Sequence, residues 1–202
     1  MLERYKVILA SQSPRRRELL QRILKNFDVV ESDLCEEGFP EEEGKDLTVV
    51  LAENKAKNVK DRLMAEAPEE TYLIIGADTV VEVDGEILGK PKNTAEAQNQ
   101  IHMLEGRSHQ VITGVSILIC GNEVEESQIT FAVTTKVYVA SMDNKEIMTY
   151  IETGEPYDKA GGYGIQGVFS KHIERIEGDY NNVVGLPVQR LYRALRELDD
   201  KS

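Results

Sequence analysis

Three consecutive arginines follow Pro14, where a helix is predicted to begin. The helix is predicted because Ser13 and Pro14 form an N-cap and first-turn pair ahead of apolar residues at helical spacing. Cations in the first turn cost about 0.3–1 kcal/mol each when exposed, since the macrodipole makes this end positive. A helix N-terminus after a strand favours anions, and arginine matches phosphate with two parallel hydrogen bonds. We predict that Arg15 and Arg16 bind phosphate. For Arg17 we expect only a charged residue at the surface.

Asp78 interrupts an apolar stretch, IIGADTVV, at residues 74–81. Burying a carboxylate is costly unless it is paired with a cation or bound to a metal. Two interpretations remain open: Asp78 closes a turn after Gly76, or it is a functional carboxylate at a strand end, where α/β folds bind ligands. In the second case Asp78 could bind a hard cation such as Mg²⁺, activate a water, or do both.

Two lysines and two glutamates are weaker candidates on local signals alone. Lys55 lies at the edge of a helical apolar seam, and Lys90 follows a strand at a Gly-Lys-Pro turn; either can be an ordinary surface lysine. Glu36 and Glu37 belong to an acidic stretch that is predicted to be a loop with mostly solvated charge.

A glycine-rich stretch, YDKAGGYGIQG, covers residues 157–167. It predicts close approach of the backbone to a ligand, with a flexible loop as the alternative. Arginines at a helix start, a strand-end carboxylate and such a loop together predict an enzyme that acts on phosphate esters or anhydrides with a metal. The pattern GxxxxGK[ST] does not occur, so the chain is not a P-loop protein.

Alternating strands and helices must position these residues, and the middle of the chain is predicted to be a hairpin. The predicted strands cover residues 7–10, 27–32, 72–83 with a break at Gly76–Asp78, 108–120, 126–140 and 172–178. The predicted helices begin at residues 14, 47, 93 and 143, and a last helix includes residues 188–198. Repeats and linkers are not visible, so we predict one domain over residues 1–202.

The composition describes a soluble cytoplasmic protein. The net charge of −12 disfavours binding to nucleic acid or an anionic membrane. Two cysteines without CxxC spacing indicate a reduced chain, and the three histidines have no zinc-ligand spacing. We find no signal peptide and no apolar run approaching the roughly 20 residues needed to span a bilayer.

Six motifs occur in order, and together they resemble those of the Maf family of nucleoside triphosphate pyrophosphatases from residue 7 to about residue 192. The motifs are LASQSPRR, AENKA, GADTVV, LGKP, DKAGGYGIQG and GDYNNVVGLP. The resemblance implies an α/β fold related to the inosine triphosphate pyrophosphatases, with a long curved mixed sheet, flanking helices and two lobes around a cleft. It also implies hydrolysis of a nucleoside triphosphate between the α- and β-phosphates with a divalent cation, Mg²⁺ or Mn²⁺, and it allows a homodimer.

The resemblance also assigns roles to residues of this chain. Asp78 would be the general base that activates water, and it would share the metal with Glu36, although Cys35 stands beside Glu36 where the family often has an acidic residue. The residues that match the family's phosphate-binding positions are Ser11, Arg15, Arg16, Lys55 and Lys90.

Three further positions resemble the dTTP/UTP pyrophosphatase branch, which has Arg15, Thr79 and Gln166 where the 7-methyl-GTP branch has tryptophan, glutamine and glutamate. A glutamine amide both donates and accepts, which suits the O4 and N3–H edge of uracil or thymine. The resemblance therefore implies hydrolysis of dTTP and UTP in the house-cleaning of nucleotide pools, with CTP and modified pyrimidine nucleotides as further candidates. The alternative is a nucleotide-binding regulator of septum formation that acts through a protein partner.

Overall fold

Seven strands form a mixed sheet in the computed structural model, which describes residues 2–33, 44–122 and 124–200. The strands are β1 (Lys6–Ala10), β2 (Asp28–Val29), β3 (Thr71–Val83), β4 (Glu86–Leu88), β5 (Ser108–Gly121), β6 (Ser127–Val139) and β7 (Ile173–Glu177). The helices are α1 (Pro14–Leu20), α2 (Gly44–Glu66), α3 (Thr94–Leu104), α4 (Asn144–Ile151), α5 (Tyr180–Val184) and α6 (Val188–Asp200). This arrangement confirms the predicted α/β class with helices flanking a mixed sheet.

The strand order is β2-β1-β3-β5-β6-β7, and β4 pairs with β3. β1 runs parallel to both β2 and β3, whereas β4 and β7 are antiparallel to β3 and β6. The β3–β4 hairpin turns at Asp84 and Gly85, whose φ angles of 52° and 82° are both positive. Such angles define the type I′ turn that an Asp-Gly pair favours.

The helix starts predicted near residues 14, 93 and 143 are confirmed by their caps. The Ser13 hydroxyl accepts the Arg16 amide at 3.4 Å, and the Asn93 side chain accepts the Glu96 amide at 2.9 Å. At α4, Asp143 forms a reciprocal capping box with its third helical residue.

Three predictions about the elements differ from the structure. β2 contains two residues rather than six, and α2 begins at Gly44 rather than at residue 47. The predicted break in β3 is wrong, because the strand continues through Gly76 and Asp78. Glycine marks a turn in many sequences, but Gly76 makes room for a helix instead.

The chain divides into two compact units. Unit 1 contains residues 1–78, 113–132 and 185–202, and unit 2 contains residues 79–112 and 133–184. β3, β5 and β6 each contribute residues to both units. The prediction of a single domain over residues 1–202 stays a prediction.

In unit 1, α2 lies directly against the sheet at two glycines. A Cβ added to Gly76 would lie 2.2 Å from the Ala52 carbonyl oxygen, and one added to Gly114 would lie 2.3 Å from the Thr48 carbonyl carbon. Real Cβ atoms do not approach backbone this closely, so only glycine fits at either position. The fully buried Ala52 and Ala56 complete the contact on the helix side.

In unit 2, a cluster of aromatic side chains fills the core. The Phe169 ring lies 4.9 Å from that of Tyr150 and 4.8 Å from that of Tyr163, measured between centroids. His109 packs edge-on to Tyr163, and its Nε2 lies 2.6 Å from the Tyr163 hydroxyl. Burial lowers the pKa of His109 to about 4, since a charged imidazole would lose its solvation there.

The described helices include none that is both long and apolar enough to cross a membrane.

Replacing Gly76 with alanine is expected to destabilise the protein by at least about 2 kcal/mol, because the new methyl group would overlap the α2 backbone. Urea unfolding measures the change. Gly89→Ala is the matched control, because a Cβ at Gly89 would have no atom within 4 Å. Equal unfolding free energies for the two variants would contradict the close contact of α2 with β3.

Acid is expected to destabilise the protein through His109. Below pH 6.5 the unfolded chain binds a proton at this residue, whereas the folded chain binds it only near the lowered pKa of about 4. Stability is therefore complete above pH 6.5 and falls as the pH drops to 4, by up to about 3 kcal/mol. His109→Phe should flatten the pH dependence of the urea midpoint, while the exposed His102→Ala should leave the slope unchanged.

Candidate active site

The carboxyl end of β1 holds the first group of site residues. Ala10, the last residue of β1, pairs with Gly76 of β3, so the chain leaves β1 at Ser11 beside residues 77 and 78. Ser11 is buried, and its hydroxyl oxygen accepts the Ser13 amide at 3.2 Å and an Nη1–H of Arg16 at 3.4 Å. The register of two parallel strands thus brings the SQSPRR motif to the GAD motif.

Arg16 is fixed at both ends of its guanidinium group. Besides Ser11, it contacts the Gly185 carbonyl oxygen, to which its Nε donates at 2.8 Å. These two contacts orient the guanidinium group beside the end of β1. Arg15 and Arg16 are half-buried, whereas Arg17 is exposed as expected. Phosphate binding by the first two arginines stays a prediction.

A buried ion pair joins α2 to β3. The Lys55 Nζ donates to the Asp78 carboxylate at 2.6 Å, and the side chains of Lys55 and Asp78 are only 10% and 11% exposed. Alternate residues of a strand share a face, so Asp78 points to the same side of β3 as Gly76. Since Gly76 lets α2 approach at Ala52, the next turn of the helix places Lys55 against Asp78.

The structure corrects two expectations about this pair. Asp78 neither closes a turn nor ends a strand, because β3 runs on to Val83. Lys55 is not a surface lysine, although in isolation its position favours that interpretation. The carboxylate lies in the strand interior because the lysine compensates its charge there, which a buried aspartate needs.

Unit 2 carries the other candidates, Thr79, Lys90 and Gln166. Thr79 is half-buried on β3, whereas Lys90 and Gln166 are exposed. The Gly89 carbonyl, immediately before Lys90, accepts the Gly161 amide at 3.1 Å. This bond joins the Gly-Lys-Pro turn to the glycine-rich stretch.

The Gly89 carbonyl also accepts the Gln100 side-chain amide at 3.2 Å. The sequence analysis missed this support by Gln100 from α3, because an amide in a helix gives no local signal of a contact so distant in sequence.

The glycine-rich stretch is ordered by close contacts rather than being a flexible loop. It contains a short 3₁₀ turn at Ala160–Gly162, overlaps another at Glu155–Asp158 and is followed by a third at Val168–His172. Gly161 has a positive φ of 68°, and a Cβ there would lie 2.9 Å from Val81. The glycine at this position is therefore required both by conformation and by space.

The sixth motif, GDYNNVVGLP, has two structural roles that the sequence analysis did not assign. The buried Asn182 donates to the Val111 carbonyl and to the Thr135 hydroxyl, each at 3.0 Å, and so ties β5 to β6 within unit 2. Gly185 offers the carbonyl that holds Arg16 in unit 1. The motif marked these residues in the sequence, but it could not show which residues they contact, because those partners are distant in sequence.

The acidic candidates Glu36 and Glu37, with Cys35, lie outside the described residues. Within the described ranges no three side chains of histidine, cysteine, aspartate or glutamate form a group that could hold a metal ion.

Comparison with known proteins gives matches over nearly the whole chain. The sequence profile of the family described as Maf-like protein matches residues 6–198. A protein of Lachnoclostridium phytofermentans named dTTP/UTP pyrophosphatase is 41% identical, covering 96% of this chain and 95% of its own length. A protein of Alkaliphilus oremlandii with the same name is 46% identical, over 94% of each chain. Among solved structures, a HAM1 protein from Coxiella burnetii matches with a TM-score of 0.47 and 13% identity, covering 96% of this chain and 99% of that chain.

Removing Lys55 is expected to destabilise the protein strongly, because Asp78 would remain buried without its ammonium partner. We expect Lys55→Met to lose about 3 kcal/mol of unfolding free energy, and Lys55→Met combined with Asp78→Asn to lose less than the sum of the single changes. Urea unfolding at neutral pH measures both.

The control for this cycle is Lys57→Met on the same helix. Lys57 pairs with Glu53 at 3.4 Å with 45% of its side chain exposed, so it should change stability by less than about 1 kcal/mol. Additive losses for the Lys55 and Asp78 variants would contradict the coupling.

Proposed function

Because the chain belongs to the Maf family, we propose that it hydrolyses dTTP and UTP to the nucleoside monophosphate and pyrophosphate. The observation that carries the proposal is the buried Lys55–Asp78 ion pair. A carboxylate is costly to bury, and a carboxylate oriented by a lysine is suited to taking a proton from water. The names of the curated relatives, dTTP/UTP pyrophosphatase, support the substrate class.

In this proposal Asp78 accepts the proton of the attacking water as the anhydride between the α- and β-phosphates is hydrolysed. Lys55 binds one carboxylate oxygen and so fixes the direction of the other. As the phosphates develop charge, the ammonium group also stabilises them, which is the main contribution that proteins make to phosphoryl transfer.

The arginines supply the remaining positive charge of unit 1. Arg16, oriented by Ser11 and Gly185, binds the triphosphate together with the neighbouring Arg15. This arrangement answers why cations occupy the first turn of α1: the charge that the dipole disfavours is offset by an anionic substrate.

Lys90, Thr79 and Gln166 of unit 2 complete the proposed machinery. We assign Lys90 to the triphosphate, and Thr79, Gln166 and Arg15 to recognition of the pyrimidine nucleotide. The Gln166 side chain is exposed, so its amide is available to a base. One amide can pair with both O4 and N3–H of uracil or thymine, and the same logic extends to modified pyrimidines.

A divalent cation, Mg²⁺ or Mn²⁺, belongs to the proposal. Mg²⁺ commonly binds through one or two carboxylates and the phosphates of a substrate, and Asp78 offers one such carboxylate. The family resemblance assigns Glu36, which lies outside the described residues, to the same ion. The ion would supply charge neutralisation at the phosphates.

We further propose that the protein works in the cytoplasm and does not act on nucleic acid or membranes. Its charge of −12 supports both exclusions, since nucleic acids and most membrane surfaces are anionic. A homodimer remains compatible with this function.

Pyrophosphate release with Mg²⁺ or Mn²⁺ tests the reaction against dTTP, UTP, CTP, 7-methyl-GTP and ITP. We expect dTTP and UTP to be hydrolysed best and a chelator to abolish the activity. A purine preference would leave the chemistry intact and contradict the assigned specificity. If folded protein supplied with metal released no pyrophosphate from any of these nucleotides, the regulatory alternative would be favoured.

Asp78→Asn is expected to lower kcat by about 10²–10⁴-fold, because the amide cannot take a proton from water. The variant should still bind UTP, which equilibrium titration can measure. Full turnover by this variant would refute the role of Asp78 as a base.

A further inference from the structure

Gln166 lies between Gly164 and Gly167. The space that a side chain would occupy at each glycine is taken by Lys159 and Glu155, respectively. A Cβ added to Gly167 would lie 2.1 Å from the Glu155 Oε1, and one added to Gly164 would lie 2.6 Å from the Lys159 Cε. The Gly167 amide also bonds the Gly164 carbonyl at 3.2 Å. The tight turn that carries Gln166 therefore rests on Glu155 and Lys159 at both ends.

Hydrogen bonds hold Glu155 in this place. One carboxylate oxygen accepts the Val168 amide at 2.7 Å, and the other accepts the Tyr150 hydroxyl at 3.3 Å. The Lys159 ammonium donates to the Glu155 main-chain carbonyl at 2.9 Å. The Glu155 carboxylate is thus bonded to Tyr150 on one side and to the turn, at Val168, on the other.

Tyr150 is a core residue, and its hydroxyl gives the Glu155 carboxylate a fixed partner. Tyr150 is 1% exposed within the aromatic core of unit 2, and its single O–H is shared between the Glu155 carboxylate and the Gly162 carbonyl, which lies 3.1 Å away. Burial and the nearby Glu155 raise the pKa of Tyr150, so it remains a protonated donor. A rigid core residue therefore sets where the Glu155 carboxylate lies.

The contacts of Glu155 are poorly suited to a purely stabilising role. The turn itself is solvent-facing, since Gln166 is exposed and Val168 is 48% exposed. Water could solvate the Val168 amide at little cost if the carboxylate were removed. What would be lost is the single position of the turn, and with it the direction of the Gln166 amide.

We propose that Glu155 is a positioning residue for nucleobase selection: its carboxylate fixes the Gly164–Gly167 turn, which presents the Gln166 amide to the pyrimidine edge. This inference rests on the proposed hydrolysis of pyrimidine triphosphates. Glu155 does not touch the nucleotide and acts through Gln166, so its removal should affect the choice of base more than the chemical step.

The test compares kcat and KM for UTP and ITP in Glu155→Ala, Gln166→Ala and the double variant. We expect Glu155→Ala to lower kcat/KM for UTP by about 10–100-fold, mainly through KM, because a displaced recognition group costs rate at that scale. The ratio of kcat/KM for UTP to that for ITP should fall with it. In the Gln166→Ala background the same change should lower that ratio by less than about threefold, since coupled residues are not additive.

Three further variants separate positioning from folding. Glu155→Gln should retain most of the selectivity, because its amide oxygen can still accept the Val168 N–H. Gly167→Ala should reproduce the loss of selectivity from the other side of the contact, since its methyl group would displace the carboxylate. The nearby exposed carboxylate variant Glu152→Ala is the control and should leave both constants unchanged.

Hydrogen exchange gives a readout that does not depend on activity. The Val168 amide should exchange at least about tenfold faster in Glu155→Ala than in the wild type, once its acceptor is gone. Unchanged exchange, an unchanged UTP-to-ITP ratio in a folded variant, or a fully additive effect with Gln166→Ala would each overturn the positioning role. Failure of the wild type to hydrolyse pyrimidine triphosphates would instead refute the proposed function.

Discussion

The close approach of α2 to β3 at Gly76 is the constraint on which the organisation of unit 1 depends. Where a side chain on the strand would normally separate the two elements, the helix backbone occupies its space, with the Ala52 carbonyl 2.2 Å from the position of an added Cβ. The next residue on that face of β3 is Asp78, and it meets Lys55. One absent side chain thus sets both the spacing of two elements and the position of a buried charge pair.

Glycines also permit close contacts in unit 2, but there they admit side chains. Gly167 leaves room for the carboxylate of Glu155 rather than for a helix backbone, and Gly161 leaves room for Val81. In each case the glycine matters because something else occupies the space where its side chain would be. A glycine-rich sequence here means tight packing at named contacts, which is the opposite of the mobility that such a composition often signals.

Local patterns predicted the capped helix starts near residues 14, 93 and 143 and the long central strands, because each depends on residues within a few positions. The ordered motifs singled out Asp78 and Lys55, and the structure brings these two residues together, whereas the chemistry assigned to them stays a prediction. The break predicted at Gly76 was wrong, since a glycine that admits a helix looks the same in sequence as a glycine that turns a chain. The contacts of Gly185, Gln100 and Glu155 could not be predicted from sequence, because only the tertiary structure brings these residues to their partners.

The bond from Arg16 to Gly185 spans 169 positions of the chain, and it bears on the order in which the protein is made. A ribosome releases β1, α1, α2 and the first half of β3 early, but unit 1 also contains residues 113–132 and 185–202, which are synthesised later. The carbonyl that orients Arg16 emerges only shortly before α6. Unit 1 can therefore be completed, and its arginine oriented, only near the end of translation.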